Sequence, residues 1–247
     1  GTIGSSAGGE QPKFLVTRTP GARPALVKFS PSTKTGVGRR SADLLVAEHL
    51  ALEVLAKHGK PAAKSELVAA GEQIFLEVER FDRTPQGGRR GLISLLALDA
   101  EFVGRMVSWT DSVSRLVDNQ ILPRAMIRNV AWLELFGRLI ANSDMHAGNL
   151  SFFARGSRVL GIAPAYDMLP AQYAGQQGHL AEVTFEPAPP KPADSDVWNE
   201  ASGAALELWQ RVLKHELVSA DFRGIARHNA KVVEAFRDAG RLLPAPR

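Results

Sequence analysis

Cysteine is absent from the 247 residues, and with it go disulfides, thiolate catalysis and cysteine-ligated zinc or iron–sulfur centres. A cytoplasmic location fits that absence. No apolar run approaches the roughly 18 residues that a bilayer span requires, so no membrane association is expected. The first residues, Gly1-Thr2-Ile3-Gly4-Ser5-Ser6, lack the basic region and apolar stretch of a signal peptide. They also lack an initiator methionine, and a fragment or processed chain with a missing upstream region is therefore expected. There is no internal repeat and no long run of like charge. The net charge of +4 and an isoelectric point near 9.6 permit anionic partners such as nucleotides or nucleic acid. The short clusters Arg39-Arg40 and Arg89-Arg90 read more simply as solvated surface. What remains, 45% hydrophobic and 23% charged, is a globular composition long enough for one core or for two lobes around a cleft.

The pattern changes along the chain. Phe14-Leu15-Val16 and Ala25 to Phe29 read as two strands separated by the break Thr19-Pro20-Gly21. A Gly/Ser/Thr-rich loop from Ser30 to Gly38 follows. Apolar residues at Leu44, Leu45, Leu52, Leu55 and Ala56 then recur at helical spacing from Ser41 to Lys57. Ser65 to Ala70 and Ile74 to Val78 read as strands again. After the loop Pro85 to Gly91, helical patterns dominate, the clearest from Arg124 to Ile140. Two short strand-like runs, Leu150 to Phe153 and Val159 to Ile162, flank a turn at Gly156. Helical stretches from Trp198 to Leu217 and from Phe222 to Ala239 follow a Pro-rich linker, Glu186 to Pro192. The expected fold is α+β with two lobes: a small antiparallel-sheet lobe over 1–80 and a helical lobe over 81–247.

Asn142-Ser143-Asp144-Met145-His146-Ala147-Gly148-Asn149 lies between the long helix and the small hairpin. Phosphoryl transfer needs a carboxylate to orient and deprotonate the attacking hydroxyl, and oxygen ligands to hold magnesium on the phosphates. Asp144 and Asn149 on one loop can supply both, and Asp167, just past the hairpin, suits the second metal ligand. Alone, an Asp and an Asn in a glycine-containing loop are ordinary turn formers; the flanking helix, the hairpin and the second Asp lift the pattern above that. Lys28 in a strand and Glu48 on the next helix form the second constellation, because a buried lysine is costly unless paired. A solvent-facing lysine and a surface glutamate are the plainer alternative. Ser5-Ser6-Ala7-Gly8-Gly9-Glu10-Gln11-Pro12-Lys13 can present backbone N–H groups to phosphates, although it lacks Walker A spacing and equally suits a flexible chain end. Glu79-Arg80-Phe81-Asp82-Arg83 crosses from the sheet region to the helical region, where backbone groups can meet an adenine. A charged connector anchored by one Phe is the alternative.

These segments, with Leu26 to Phe29, Ala47-Glu48-His49, Val78 to Arg83 and Pro164-Ala165-Tyr166-Asp167-Met168-Leu169, together resemble the HipA family of bacterial serine/threonine kinases, the toxin-type kinases of toxin–antitoxin systems. Within it the chain is most similar to the branch with an upstream DNA-binding-like region. The resemblance implies a protein-kinase-like fold, ATP and Mg2+, Asp144 as catalytic base, and Asn149 and Asp167 as magnesium ligands. It implies Lys28 on the ATP phosphates, a phosphate loop from Gly8 and Gly9 to Lys13, Glu79, Arg80 and Phe81 at the adenine, and His146 and Tyr166 near the nucleotide. Self-phosphorylation in the glycine-rich loop would fall on Ser5 or Ser6. A protein acceptor, such as an aminoacyl-tRNA synthetase or another translation component, and an antitoxin or DNA partner are implied in the same way. One departure is Gly148, where the family commonly has lysine. The loop also resembles that of aminoglycoside and choline phosphotransferases, so a small-molecule phosphotransferase and an inactive pseudokinase binding module stay open.

Overall fold

The computed structural model describes residues 12–18, 23–84, 86–156, 158–175, 179–180, 183–191 and 194–240. Two antiparallel sheets and six α-helices are found among them. The first sheet contains β1 (Lys13–Arg18), β2 (Arg23–Phe29), β3 (Ser65–Ala70) and β4 (Gln73–Glu79) in the order β1-β2-β4-β3. β4 shows why it is central: Ile74, Leu76 and Val78 are buried and alternate with half-exposed neighbours, the two-residue period of a strand with one covered face. The register sets Lys28 opposite Leu76 and Leu26 opposite Val78, so Leu26 and Lys28 share a face of the sheet.

Helix α1 (Gly36–Lys57) packs on that sheet. It begins five residues before the Ser41 start expected from apolar spacing. The Thr35 hydroxyl accepts the Gly38 N–H at 3.0 Å, an N-cap that satisfies one of the free donors of the first turn. Gly38 is required there, since a Cβ would stand 2.1 Å from the Ser32 carbonyl oxygen. The cap lies inside the loop that composition alone marks as irregular.

Beyond Glu79 come β5 (Leu92–Ser94), α2 (Leu95–Phe102), α3 (Trp109–Asp118) and α4 (Ala125–Leu139). Then follow β6 (Ser151–Arg155), β7 (Arg158–Ile162), α5 (Trp198–Lys214) and α6 (Ala220–Gly240). β5, β6 and β7 make a second sheet in that order. Trp109, Trp132, Trp198 and Trp209 are all buried; Trp132 stacks on Phe136 at 5.3 Å, and the Trp209 indole donates to the Leu139 carbonyl at 3.0 Å. Helix α1 reaches into this helical region. Asp43 accepts from the Ser219 N–H at 2.7 Å and its hydroxyl at 2.6 Å. The buried Arg40 pairs with Asp221 at 2.6 Å and donates to the Tyr173 carbonyl at 3.2 Å. No helix among the described residues is long and apolar enough to cross a membrane.

Candidate active site

Helix α4 delivers the chain to the Asp144 loop. Its end closes with the Asn142 N–H on the Gly137 carbonyl at 3.0 Å and the Ala141 N–H on the Arg138 carbonyl at 3.3 Å, the paired bonds of a Schellman motif. Ala141 takes the left-handed backbone that this motif needs, at φ 59°. Gly137 lets the returning loop lie close: a Cβ there would stand 2.4 Å from the Met145 sulfur.

Asn142, buried at this corner, ties the site together. Its side-chain carbonyl accepts the Asp144 N–H at 3.1 Å, and its amide donates to the Asp167 carbonyl at 3.3 Å. Asn142 has no catalytic part in the motif, but an Asn two residues before the Asp in a post-helix corner is the sequence signal for such a side-chain turn. Asn149 is oriented by its own amide, which donates to the Asp144 carbonyl at 2.8 Å, and its Oδ1 has the chemistry of a hard oxygen that could hold a metal. The Asp144 carboxylate is mostly exposed, 3.9 Å from His146 Nε2.

His146 caps the short turn of 147–149, its Nδ1 accepting the Gly148 N–H at 3.0 Å. A Cβ at Gly148 would lie 2.8 Å from the imidazole. A lysine at position 148, common in the resembling family, would require the exposed His146 ring to move. His146 does not line the cleft described next; it is exposed beside Asp144.

The cleft, about 140 Å³, is lined by Leu26, Lys28, Glu48, Val78, Glu79 to Asp82, Tyr166 and Asp167. Lys28 Nζ donates to both Glu48 oxygens, at 2.7 and 2.8 Å, and to the Asp167 carboxylate. Burial works against the Lys28 charge, but Glu48 and Asp167 more than offset it and hold its pKa above the ordinary lysine value. Asp167 has left-handed backbone, φ 53°. The segment before it is fixed by Ala63 N–H on the Ala165 carbonyl at 3.0 Å and Ala165 N–H on the Pro61 carbonyl at 2.8 Å. Tyr166 donates to the Gly148 carbonyl at 2.7 Å and lies 3.0 Å from the Ser151 hydroxyl. Its burial raises the phenol's pKa, Asp167 adding and the Ser151 bond opposing.

At the crossing between the two regions, Glu79 and Arg80 spend their N–H groups on the Lys64 and Pro24 carbonyls, at 2.8 and 3.0 Å. The Arg80 side chain, at the rim of the cleft, forks onto Asp82 at 2.9 and 2.6 Å. Phe81 packs beside Tyr166 at 5.8 Å and edge-on to Phe153 at 6.2 Å. Lys13 opens β1 opposite Lys28 in register. Ser5, Ser6, Gly8 and Gly9 lie outside the described residues. The arrangement thus gathers Lys28, Glu48, Phe81, Tyr166 and Asp167 around one cleft, and ties the Asp144–Asn149 loop to Asp167 through Asn142.

Residues 5–235 match the family described as HipA-like C-terminal domain. The toxin YjjJ of Escherichia coli (strain K12) is 40% identical over 240 residues, covering 96% of this chain and 54% of that protein. The chain therefore spans about half the length of that curated relative. Among solved structures, HipA of Shewanella oneidensis MR-1, in a complex with HipB and operator DNA, matches with a TM-score of 0.61 and 18% identity, over 97% of this chain and 66% of that one. The Helicobacter pylori proinflammatory kinase CtkA matches with a TM-score of 0.62 and 12% identity, over 97% and 92% respectively. At such identities these two structures speak for the fold, which is α+β and protein-kinase-like.

Proposed function

Because the chain belongs to the HipA-like C-terminal domain family, we propose that its cleft binds ATP with magnesium and passes the γ-phosphate to a serine or threonine hydroxyl of a protein acceptor. The observation that carries this reading is the buried Lys28 cation, held between Glu48 and Asp167 on the cleft wall. A cation fixed in this way meets phosphate oxygens without having to be ordered on binding. Residues 1–80 form the nucleotide-binding lobe and 81–247 the catalytic lobe.

With the N–H groups of Glu79 and Arg80 already bonded, the Glu79 carbonyl and the Phe81 N–H are left to meet an adenine edge, and the Phe81 and Tyr166 rings flank it. Asn149 Oδ1 and the Asp167 carboxylate are the hard oxygens that suit magnesium. Among the described residues no cluster of three or more His, Cys, Asp or Glu could hold a metal by itself. That fits an ion that takes its remaining ligands from phosphates and water. Magnesium, when bound, supplies charge neutralisation on the phosphates. Asp144, exposed beside the loop, takes the proton of the acceptor hydroxyl. His146 holds the loop's shape beside it.

The relative carries the name of a toxin, and the Shewanella HipA was solved with HipB and operator DNA. By analogy the whole protein engages an antitoxin or DNA in the cytoplasm, and its acceptor is a translation component such as an aminoacyl-tRNA synthetase. Gly8 to Lys13 serve as the phosphate loop, with Ser6 or Ser5 as the site of self-phosphorylation.

The test is transfer of label from γ-labelled ATP in a bacterial lysate, with Asp144→Ala as control. Label in protein should fall at least about hundredfold in the variant, the scale of a lost general base, while its melting temperature stays unchanged. Label confined to non-nucleotide small molecules would move the enzyme to the small-molecule phosphotransferases, and no transfer at all would leave a binding module.

A further inference from the structure

A second concavity, about 1100 Å³, lies between α2, the turn joining α3 to α4, and the β6–β7 hairpin. Its floor is apolar, formed by Ile93, Leu98, Val117, Ile121, Leu122 and Val159. Several of these are the half-buried flank of the main core, so the core opens to solvent here. Phe102 in the lining is 44% exposed, and Leu92, Leu96 and Leu160 on the framing elements are exposed as well. An apolar floor that opens to solvent in this way is the kind of surface that marks a contact site.

The charge around the groove is one-sided. Arg124 and Arg158 stand in the lining against a single carboxylate, Glu101. An adjoining hollow of about 500 Å³ shares Ala154 with the groove and carries Arg89, Arg90 and Arg155. Among the described residues none of these five arginines pairs with a carboxylate, whereas Arg18, Arg40, Arg80, Arg128 and Arg138 all do. Arg90 lies 5.8 Å from the centre of the Phe153 ring, a contact that orients a guanidinium without neutralising it. Guanidinium groups bind carboxylates in two-pronged fashion, so the unfilled demand of this surface is for acid beside apolar side chains.

We propose that the groove docks an extended segment of a protein partner, seating apolar side chains on the Ile93–Ile121–Val159 floor and pairing flanking Asp or Glu residues with Arg124 and Arg158. The floor decides between peptide and nucleic acid, since a phosphate backbone would use the arginines and leave the apolar surface wet. The groove shares no lining residue with the Lys28 cleft, and the proposal does not depend on phosphotransfer.

The test is to pan a display library of random peptides, about a dozen residues long, against the whole chain. Enriched peptides are resynthesised with a fluorophore and titrated by anisotropy. The winners should combine Leu, Ile, Val or Phe with Asp or Glu. Their affinity should drop at least about tenfold for Arg124→Glu/Arg158→Glu, as expected when two interface charges are reversed. It should also drop for Phe102→Ser, and it should weaken with added NaCl. Both variants alter groove-lining side chains, and melting curves confirm that each is folded. The proposal is overturned if no peptide is enriched, if the winners carry no acidic bias, or if the charge-reversed variant binds them equally. Tighter binding of a single-stranded oligothymidine at the same arginines would overturn it in favour of nucleic acid.

Discussion

Lys28 is the side chain at which the proposed chemistry meets the stability of the fold. Its ammonium group satisfies a buried Glu48 and reaches Asp167 on the other side of the cleft. Remove it, as in Lys28→Met, and Glu48 is left buried with no counter-charge, a change that costs about 3–5 kcal/mol in comparable pairs. Lys28→Met/Glu48→Gln removes the orphaned charge as well and should recover much of that loss. Urea unfolding of the two variants checks this; equal losses would mean that the pair contributes through packing alone. The folded-state pKa of Lys28 lies above its ordinary value, so its contribution is complete below about pH 10.4. It is lost only as pH climbs through the still higher folded value. Unfolding measured between neutral pH and about pH 9 should therefore carry no Lys28 signature.

At the scale of elements, helix α1 carries the most information, and it was only partly legible in the sequence. Its apolar spacing marks a helix, and Glu48 falls within it. Its first turn was hidden in a glycine-rich stretch because a side-chain cap, not periodicity, starts it. β5 escaped for a different reason. Three residues are too few to show a two-residue period, and the strand exists because Leu92, Ile93 and Ser94 pair with Phe153, Phe152 and Ser151. The positions of Asp144, Asn149 and Asp167 along the chain could be read; the Asn142 link between them could not, because it joins a corner to a backbone carbonyl 25 residues later. The ties of Arg40 to Asp221 in α6 and of Asp43 to Ser219 just before it span 181 and 176 residues and leave no local trace at all. One neighbour on α1 makes a testable pH dependence. His49 Nδ1 lies 2.9 Å from the Ser65 hydroxyl, linking α1 to β3. Burial lowers its pKa, Glu53 opposing and His215 and Arg211 adding. A depressed folded-state value means that the unfolded chain binds the proton more readily. Its stabilising contribution is present above about pH 6.5 and lost as pH falls through the lower folded value. His49→Gln should flatten the decline in urea midpoint between about pH 7 and pH 5. An identical decline in both proteins would place the acid sensitivity elsewhere.

On the scale of the whole molecule, the cleft draws on elements far apart in the chain: β2 and α1 give Lys28 and Glu48, the crossing gives Phe81, and the segment after β7 gives Tyr166 and Asp167. A nucleotide held by all of them would couple their unfolding, so binding can be read as global stability with no reference to catalysis. A ligand at about a hundredfold its dissociation constant stabilises a folded protein by about 2.7 kcal/mol, which at this chain length corresponds to roughly 5–11 °C in melting temperature. ATP with magnesium should raise the melting temperature by that order, and chelating the metal should remove most of the rise. The variants then separate the roles. Asp144→Ala should keep the shift, because its carboxylate is proposed to meet the acceptor hydroxyl, whereas Asp167→Asn should lose most of it with the proposed metal ligand. A shift retained in Asp144→Ala but accompanied by no transfer in the unaltered chain would describe a nucleotide-binding module. If ATP with magnesium produced no shift in any variant, the Lys28–Glu48–Asp167 cluster would be a structural ion network and the phosphotransfer reading would fall with it.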